Sequence, residues 1–95
     1  MPVYRTDYEG AKIELSYNQR KCRYTLTISK PGQEKVLAFS FSNNKVSNLD
    51  VPDRDYNYFN KRRTILKSLV PRLKLKDSDR KAVLSALDKL VISRD

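Results

Sequence analysis

The stretch KCRYTLTIS, at residues 21–29, alternates apolar and polar side chains along its whole length. Cys22, Tyr24, Leu26 and Ile28 fall on one side of an extended chain, and polar residues fall on the other. Because successive side chains of a strand point to opposite faces, a period of two is typical of a strand with one buried face. We therefore predict a strand here, with the Cys22 thiol in the core.

The same alternation recurs on both sides of this stretch, in AKIELSY (residues 11–17) and VLAFSFS (residues 36–42). The gaps between the runs hold residues that favour turns, namely Asn18-Gln19, Pro31-Gly32 and Asn43-Asn44. A fourth short strand is predicted at residues 45–49, and residues 3–8 would add an edge strand. The first half of the chain thus predicts an antiparallel meander of three to five strands, with its main strands at about residues 11–49.

The second half changes to a helical period. Asp53 or Asp55 is a suitable N-cap for a helix at about residues 56–70, and Pro71 should end or kink this helix near Leu69. Asp77 or Ser78 is a suitable cap for a second helix at about residues 78–92. Its apolar residues recur at helical spacing: Val83, Ala86, Leu87, Leu90 and Val91.

A meander and two amphipathic helices each have one apolar face that must be covered. The economical solution packs both helices on one face of the sheet. We therefore predict an α+β fold in a single domain spanning residues 1–95, a length typical of one domain.

The charge is strongly positive and unevenly distributed. Twenty Lys and Arg residues against 11 Asp and Glu leave a formal net charge of +9. Residues 56–76, called the basic segment below, carry seven cations and no carboxylate. Such a segment must face solvent, acidic groups elsewhere in the fold, or an external polyanion.

The sequence contains few of the residues that catalysis or metal binding requires. The chain has no histidine, which removes the usual general base and the commonest transition-metal ligand. Two glycines cannot form a phosphate-binding glycine loop, and a lone Cys22 has no base to activate it. The acidic cluster Asp50, Asp53 and Asp55 has Arg54 inside it and matches no metal-binding loop. We predict a protein that is not an enzyme and that uses no cofactor and no metal.

The basic segment is the first candidate binding surface. Arg forks match phosphate oxygens, Lys supplies mobile charge, and tyrosine rings can stack on unpaired bases. Tyr4, Tyr8, Tyr56 and Tyr58 are predicted to be exposed, whereas Tyr17 and Tyr24 are predicted to lie in the core. Arg62 projects into the apolar stripe, where it would pair with one of the three acidic residues above. The candidate nucleic-acid-binding residues are Tyr56, Asn60, Lys61, Arg62, Arg63, Lys67, Arg72, Lys74 and Lys76.

The polar face of the sheet is the second candidate surface. Lys12, Lys21 and Arg23 would line it together with Thr25 and Thr27. Cations and small hydroxyls suit a groove that follows a phosphate backbone, but no aromatic residue is predicted on that face. It therefore ranks below the basic segment.

These observations predict a small nucleic-acid-binding protein that contacts phosphates, with DNA slightly favoured over RNA. The alternative is an adaptor or regulatory subunit that docks on an acidic protein through anchors such as Tyr58 or Phe59. No zinc-finger, RNP or helix-turn-helix signature is present. The lone cysteine and the absence of an apolar signal core near Met1 favour an intracellular protein that is not secreted. No membrane span is predicted, and an exposed sheet edge would allow a homodimer.

Overall fold

The computed structural model describes residues 3–92, except for the side chains of Val91 and Ile92. Five antiparallel strands form one sheet in the order of the chain. They are β1 (Val3–Tyr8), β2 (Ala11–Asn18), β3 (Arg23–Lys30), β4 (Gln33–Ser42) and β5 (Lys45–Asp50). The meander is confirmed, and the edge strand at residues 3–8 is part of it.

The turns follow from local chemistry. Asn43 and Asn44 both adopt positive φ, 51° and 61°, which suits the two-residue turn between β4 and β5. Pro31 and Gly32 connect β3 to β4, and Gly32 has a φ of 78° that residues with a Cβ rarely adopt. Two of the three predicted turns are therefore confirmed.

The turn between β2 and β3 differs from the prediction. It spans residues 19–22, because the Asn18 Oδ1 accepts hydrogen bonds from the backbone N–H groups of Arg20 and Lys21 at 3.0 and 3.2 Å. Cys22 lies in this turn with a φ of 50° and an exposed side chain. The prediction of a buried Cys22 is wrong, because the strand begins only at Arg23.

Three α-helices and one short 3-10 helix follow the sheet: α1 (Asp53–Lys61), α2 (Arg63–Leu69), the 3-10 helix (Val70–Leu73) and α3 (Asp77–Ile92). Pro52 occupies the N-cap of α1 and Asp53 and Asp55 lie in its first turn, so the prediction that either aspartate is the N-cap is wrong. Arg62, with φ −101° and ψ 12°, interrupts the helix predicted at residues 56–70. The predicted end of this helix near Leu69, before Pro71, is confirmed.

The helices cover one face of the sheet, where α1 contacts β4, the 3-10 helix contacts β1 and α3 contacts β5. The helical layer thus crosses the sheet towards β1 and returns towards β5. The buried core includes Leu15, Leu37 and Phe39 from the sheet and Phe59 and Leu87 from the helices, each with no exposed surface. None of the helices within residues 3–92 has the length and apolar character that crossing a membrane requires.

The apolar face predicted for the second helix is confirmed for Val83, Ala86, Leu87 and Leu90, which are buried in α3. The side chain of Val91 lies outside the described residues. The fold is therefore an α+β fold, with three α-helices instead of the predicted two.

Candidate nucleic-acid interface

The basic segment runs through the helical layer and its connection to α3. Lys61 ends α1, Arg62 occupies the break, and Arg63 and Lys67 belong to α2. The remaining cations follow along the chain, Arg72 in the 3-10 helix and Lys74 and Lys76 in the link to α3. Lys74 has left-handed backbone angles, φ 54° and ψ 47°.

Two of the seven cations meet an internal carboxylate. The Asp88 Oδ1 on α3 lies 2.7 Å from the Lys67 Nζ and 3.5 Å from the Arg63 guanidinium. All three side chains keep about a third or more of their surface exposed, so these ion pairs are weakly stabilising. Because one carboxylate is shared by two cations, this group keeps a net charge of +1.

Arg62 is exposed and does not project into the core, which corrects the prediction. Its guanidinium carbon lies 3.9 Å from the centre of the Tyr58 ring, in a cation–π contact. Of the acidic residues proposed as its partners, Asp55 is buried 3.4 Å from the Lys35 Nζ and Asp50 lies 3.5 Å from the Arg23 guanidinium.

The other four cations of the basic segment are exposed. Lys61, Lys74 and Lys76 form no ion pair with any residue between 3 and 92. The guanidinium of Arg72 lies 6.0 Å from the centre of the Tyr8 ring. Asn60 is also exposed, next to Lys61 at the end of α1. These side chains are therefore open to solvent, but they do not form one patch, because Lys76 lies near Asp79 at the end of the sheet away from the turn between β1 and β2.

Tyr56 does not belong to this surface. Its side chain is only 7% exposed, and its hydroxyl donates a hydrogen bond to the backbone oxygen of Leu90. The prediction of an exposed Tyr56 is wrong, because the break at Arg62 makes α1 a separate helix whose buried face includes Asp55, Tyr56 and Phe59. Phe59 is also fully buried, which removes it as an anchor for a protein partner, whereas Tyr58 is half-buried.

A small cleft adjoins the exposed cations. Its volume is about 120 Å³, and it lies between the helical layer and the sheet end that carries the turn from β1 to β2. Its apolar wall includes Ala11, Ile13, Ile28, Leu66 and Leu69, and Ile65 beside it is 43% exposed. The rim carries Tyr8, Glu9, Lys30, Tyr58 and Arg62. The cleft could not be predicted from the sequence, because its lining residues come from five separate elements, β1, β2, β3, α1 and α2.

The second candidate surface, the polar face of the sheet, carries only some of the cations predicted for it. Lys12 is exposed on the face of the sheet opposite the helices, opposite Ser29 of β3. Lys21 lies in the turn and not on the sheet, and Arg23 is half-buried, with a hydrogen bond of 3.3 Å to the backbone oxygen of Asn48. All strand aromatics lie on the helical side, so this face offers no stacking platform.

A second cluster of tyrosines lies at the opposite end of the sheet. Buried Asp79, in the first turn of α3, accepts hydrogen bonds from the hydroxyls of Tyr24 at 2.5 Å and Tyr4 at 3.2 Å. Loss of solvent raises the pKa of both tyrosines, and the Asp79 carboxylate raises it further. Loss of solvent also raises the pKa of half-buried Tyr17, whose ring centre lies 4.5 Å from that of Tyr24. Tyr24 is in the core as predicted, whereas Tyr4 is half-buried instead of fully exposed.

Residues 3–92 contain no group of three acidic, cysteine or histidine side chains placed to hold a metal ion. The Asp55 carboxylate serves a structural role, since its Oδ2 accepts a 3.4 Å hydrogen bond from the Val36 N–H and so connects α1 to β4. The groups that the structure places at the basic segment are exposed cations, two tyrosine rings under arginines and the small apolar cleft. The chain matches no protein-family model, no curated protein and no solved structure.

Proposed function

We propose that this protein binds nucleic acid without catalysing a reaction, through phosphate contacts made by the basic segment. The observation that carries the proposal is the open set of cations Lys61, Arg62, Arg72, Lys74 and Lys76, which have no carboxylate partner among residues 3–92. Neutralising phosphates with such side chains releases condensed counterions, which favours binding without any sequence preference.

The local structure around these cations supports the same proposal. The last three cations lie on or beside a short 3-10 helix whose apolar residues Val70 and Leu73 are buried, so their backbone is held by the core. Arg62 and Arg72 lie over tyrosine rings, which restricts long side chains and lowers the entropy lost on binding. DNA remains slightly favoured over RNA in this proposal, and an intracellular location goes with it, since Cys22 is a free thiol.

The test is a titration of labelled duplex DNA, single-stranded DNA and RNA at two salt concentrations. One variant changes Lys61, Lys74 and Lys76 to Gln, and the matched control changes Lys12, Lys21 and Lys45 to Gln. Both variants lose three exposed cations that have no ion pair within residues 3–92, so both keep the same net charge. We expect the first variant to lose roughly 0.7–0.9 of log–log salt slope for each contact removed, and the control to lose much less.

Equal losses in the two variants would show that only net charge matters and would reject the basic segment as the contact surface. A larger loss in the control would move the contact to the polar face of the sheet. Absence of binding to every nucleic acid at low salt would reject the function itself.

The alternative is an adaptor that docks on an acidic protein. Ile65 favours it, because a 43% exposed isoleucine among cations resembles an apolar anchor with a charged rim. In that case Ile65→Ala would abolish binding to the partner, and nucleic acids would bind weakly to the unchanged protein. The sheet edges at β1 and β5 would allow a homodimer, which stays a prediction.

A further inference from the structure

The cleft beside Arg62 has the size of a single ring. Its volume of about 120 Å³ is well below the roughly 300–1,000 Å³ of pockets that enclose whole small molecules. It is close to the roughly 150 Å³ of an apolar cavity that accommodates one benzene molecule. A ligand that uses this cleft would therefore insert one small planar group and keep its remainder outside.

The walls of the cleft suit the flat, apolar faces of such a ring. Ile13, Ile28, Leu66 and Leu69 contribute buried aliphatic surface, and Ala11 leaves space where a larger side chain would fill it. The cleft is open on the side where Ile65 is exposed. Transfer of an aromatic face from water to this surface is favourable.

The rim adds a stacking group with a charge. The exposed guanidinium of Arg62 lies over the Tyr58 ring, and Lys35 approaches the same ring at 5.7 Å from the ring centre. A guanidinium held over an aromatic ring offers a planar face to a base and N–H donors to a neighbouring phosphate. Tyr58 therefore positions Arg62 for both contacts.

The charge around the cleft favours a polyanion over an apolar peptide. Lys30 and Arg62 line the cleft, and Arg72 lies over Tyr8 at its rim. Glu9 is the carboxylate among the lining residues, so positive charge remains in excess. A leucine or phenylalanine of a protein partner would fill the apolar part but would leave these cations without counter-charges.

We propose that the cleft takes one unpaired nucleobase of a single-stranded nucleic acid while Arg62, Lys30 and Arg72 contact the flanking phosphates. This inference rests on the function proposed above and narrows it to single strands, because the bases of a duplex are paired and stacked inside it. The basic segment would then continue the phosphate contacts along the strand.

The experiment compares two strands of equal charge by fluorescence anisotropy. One is an oligothymidylate of about 12 nucleotides, within the site sizes of single-strand-binding folds, and the other is an abasic strand with the same number of phosphates. Base stacking on an aromatic side chain contributes about 1–3 kcal/mol, and with that as the scale for stacking on the Arg62 guanidinium we expect the oligothymidylate to bind roughly 5- to 150-fold more tightly.

Two variants test whether the ratio of the two affinities depends on the cleft. Arg62→Lys keeps the charge and the fold at an exposed position but loses the planar group, so the ratio should fall towards one while binding to the abasic strand stays. Tyr58→Leu removes the ring that supports Arg62 and should act in the same direction. The matched control is Tyr17→Leu, which removes a half-buried ring towards the other end of β2, about 20 Å from Ala11 and about 13 Å from Ile13 at roughly 3.3 Å per residue. It should keep the ratio.

The outcomes separate the two proposals. Equal, salt-dependent affinity for both strands would overturn the base-binding cleft and leave the phosphate-binding surface intact. If the Arg62→Lys variant still binds the oligothymidylate much more tightly than the abasic strand, the base is bound elsewhere, and the inference is overturned as well. If neither strand nor a duplex binds at low salt, the proposed function fails, and the cleft proposal fails with it.

Discussion

The two tyrosine clusters of this protein use the same residue type in different ways. Around Asp79, Tyr4 and Tyr24 use their hydroxyls, which donate hydrogen bonds to a buried carboxylate. Around the small cleft, Tyr8 and Tyr58 use their ring faces, each of which lies under an arginine. Hydroxyl bonds to a buried carboxylate stabilise the fold, whereas rings under exposed cations leave charged groups available to a ligand. The difference predicts that stability and binding respond to different substitutions.

The largest expected effect is on stability, from Asp79→Ala. The change removes the acceptor of two tyrosine hydroxyls and leaves that of Tyr24 buried without a partner. Since hydrogen bonds to a charged group contribute roughly 1.5–3 kcal/mol each, we expect a loss of about 3 kcal/mol in the free energy of unfolding, measured in urea. Asp77→Ala is the control, because the Asp77 side chain is 92% exposed and its ion pair within residues 3–92 is with Arg80 at the surface. A similar loss in both variants would show that the negative charge near the start of α3, and not the tyrosine network, is what matters.

A smaller effect, with a characteristic pH dependence, is expected from Tyr24→Phe. Removing one hydroxyl should lower the free energy of unfolding by about 1.5–2 kcal/mol at neutral pH. The pKa of Tyr24 is raised above its ordinary value of 10.0 by burial first and by Asp79 second. In the unfolded chain this tyrosine ionises near pH 10, while in the folded protein it stays protonated, so its contribution is complete below pH 10 and is lost as the pH rises further.

The slope due to Tyr24 would reach at most about 1.4 kcal/mol per pH unit, and Tyr24→Phe should flatten the alkaline decline in urea stability by that amount. Tyr8→Phe is the matched control, since the Tyr8 hydroxyl has no hydrogen-bond partner among residues 3–92. It should change stability by less than about 0.5 kcal/mol and leave the alkaline decline as it is. If both variants behave alike, the distinction between hydroxyl and ring use does not hold.

The smallest expected effect is on binding, from Asp88→Asn. This change releases Arg63 and Lys67 from their shared carboxylate, and its effect on stability should stay below about 1 kcal/mol because the pairs are exposed. Two released cations within the basic segment should tighten binding to single-stranded DNA at low salt by roughly 3- to 10-fold and steepen the salt dependence. Asp50→Asn is the control, since it removes one negative charge and releases Arg23 on the sheet side. An equal gain in the control would mean that net charge alone sets the affinity.

The sheet could be predicted from the sequence because its determinants are local. Alternation marks β2, β3 and β4, and the pairs Pro31-Gly32 and Asn43-Asn44 fix two turns by their own backbone preferences. The prediction of a buried Cys22 failed because the Asn18 side chain accepts hydrogen bonds from the backbone N–H groups of Arg20 and Lys21. These bonds extend the turn by two residues. Local alternation gives the period of a strand but not the residue at which pairing begins.

The helix boundaries could be predicted less well than the strands, and so could the positions of the candidate site residues that the helices carry. Pro71 marks the end of α2, but neither proline nor glycine marks the interruption at Arg62. The interruption places Tyr56 in the core and Arg62 on the surface, which is the reverse of what one continuous helix from residue 56 predicts. Asp88 pairs with Arg63 and Lys67, which lie more than 20 positions away in the sequence. No sequence pattern predicts such a contact.

The left-handed backbone at Lys74 has a consequence for any attempt to engineer this protein. A residue with a Cβ in this conformation costs about 1–2 kcal/mol relative to its preferred angles, and glycine would avoid most of that cost. Replacing Lys74 by glycine should therefore raise the melting temperature while removing one of the exposed charges. Variants selected only for heat resistance would then accumulate glycine at this position and lose one of the charges on which the proposed nucleic-acid binding depends.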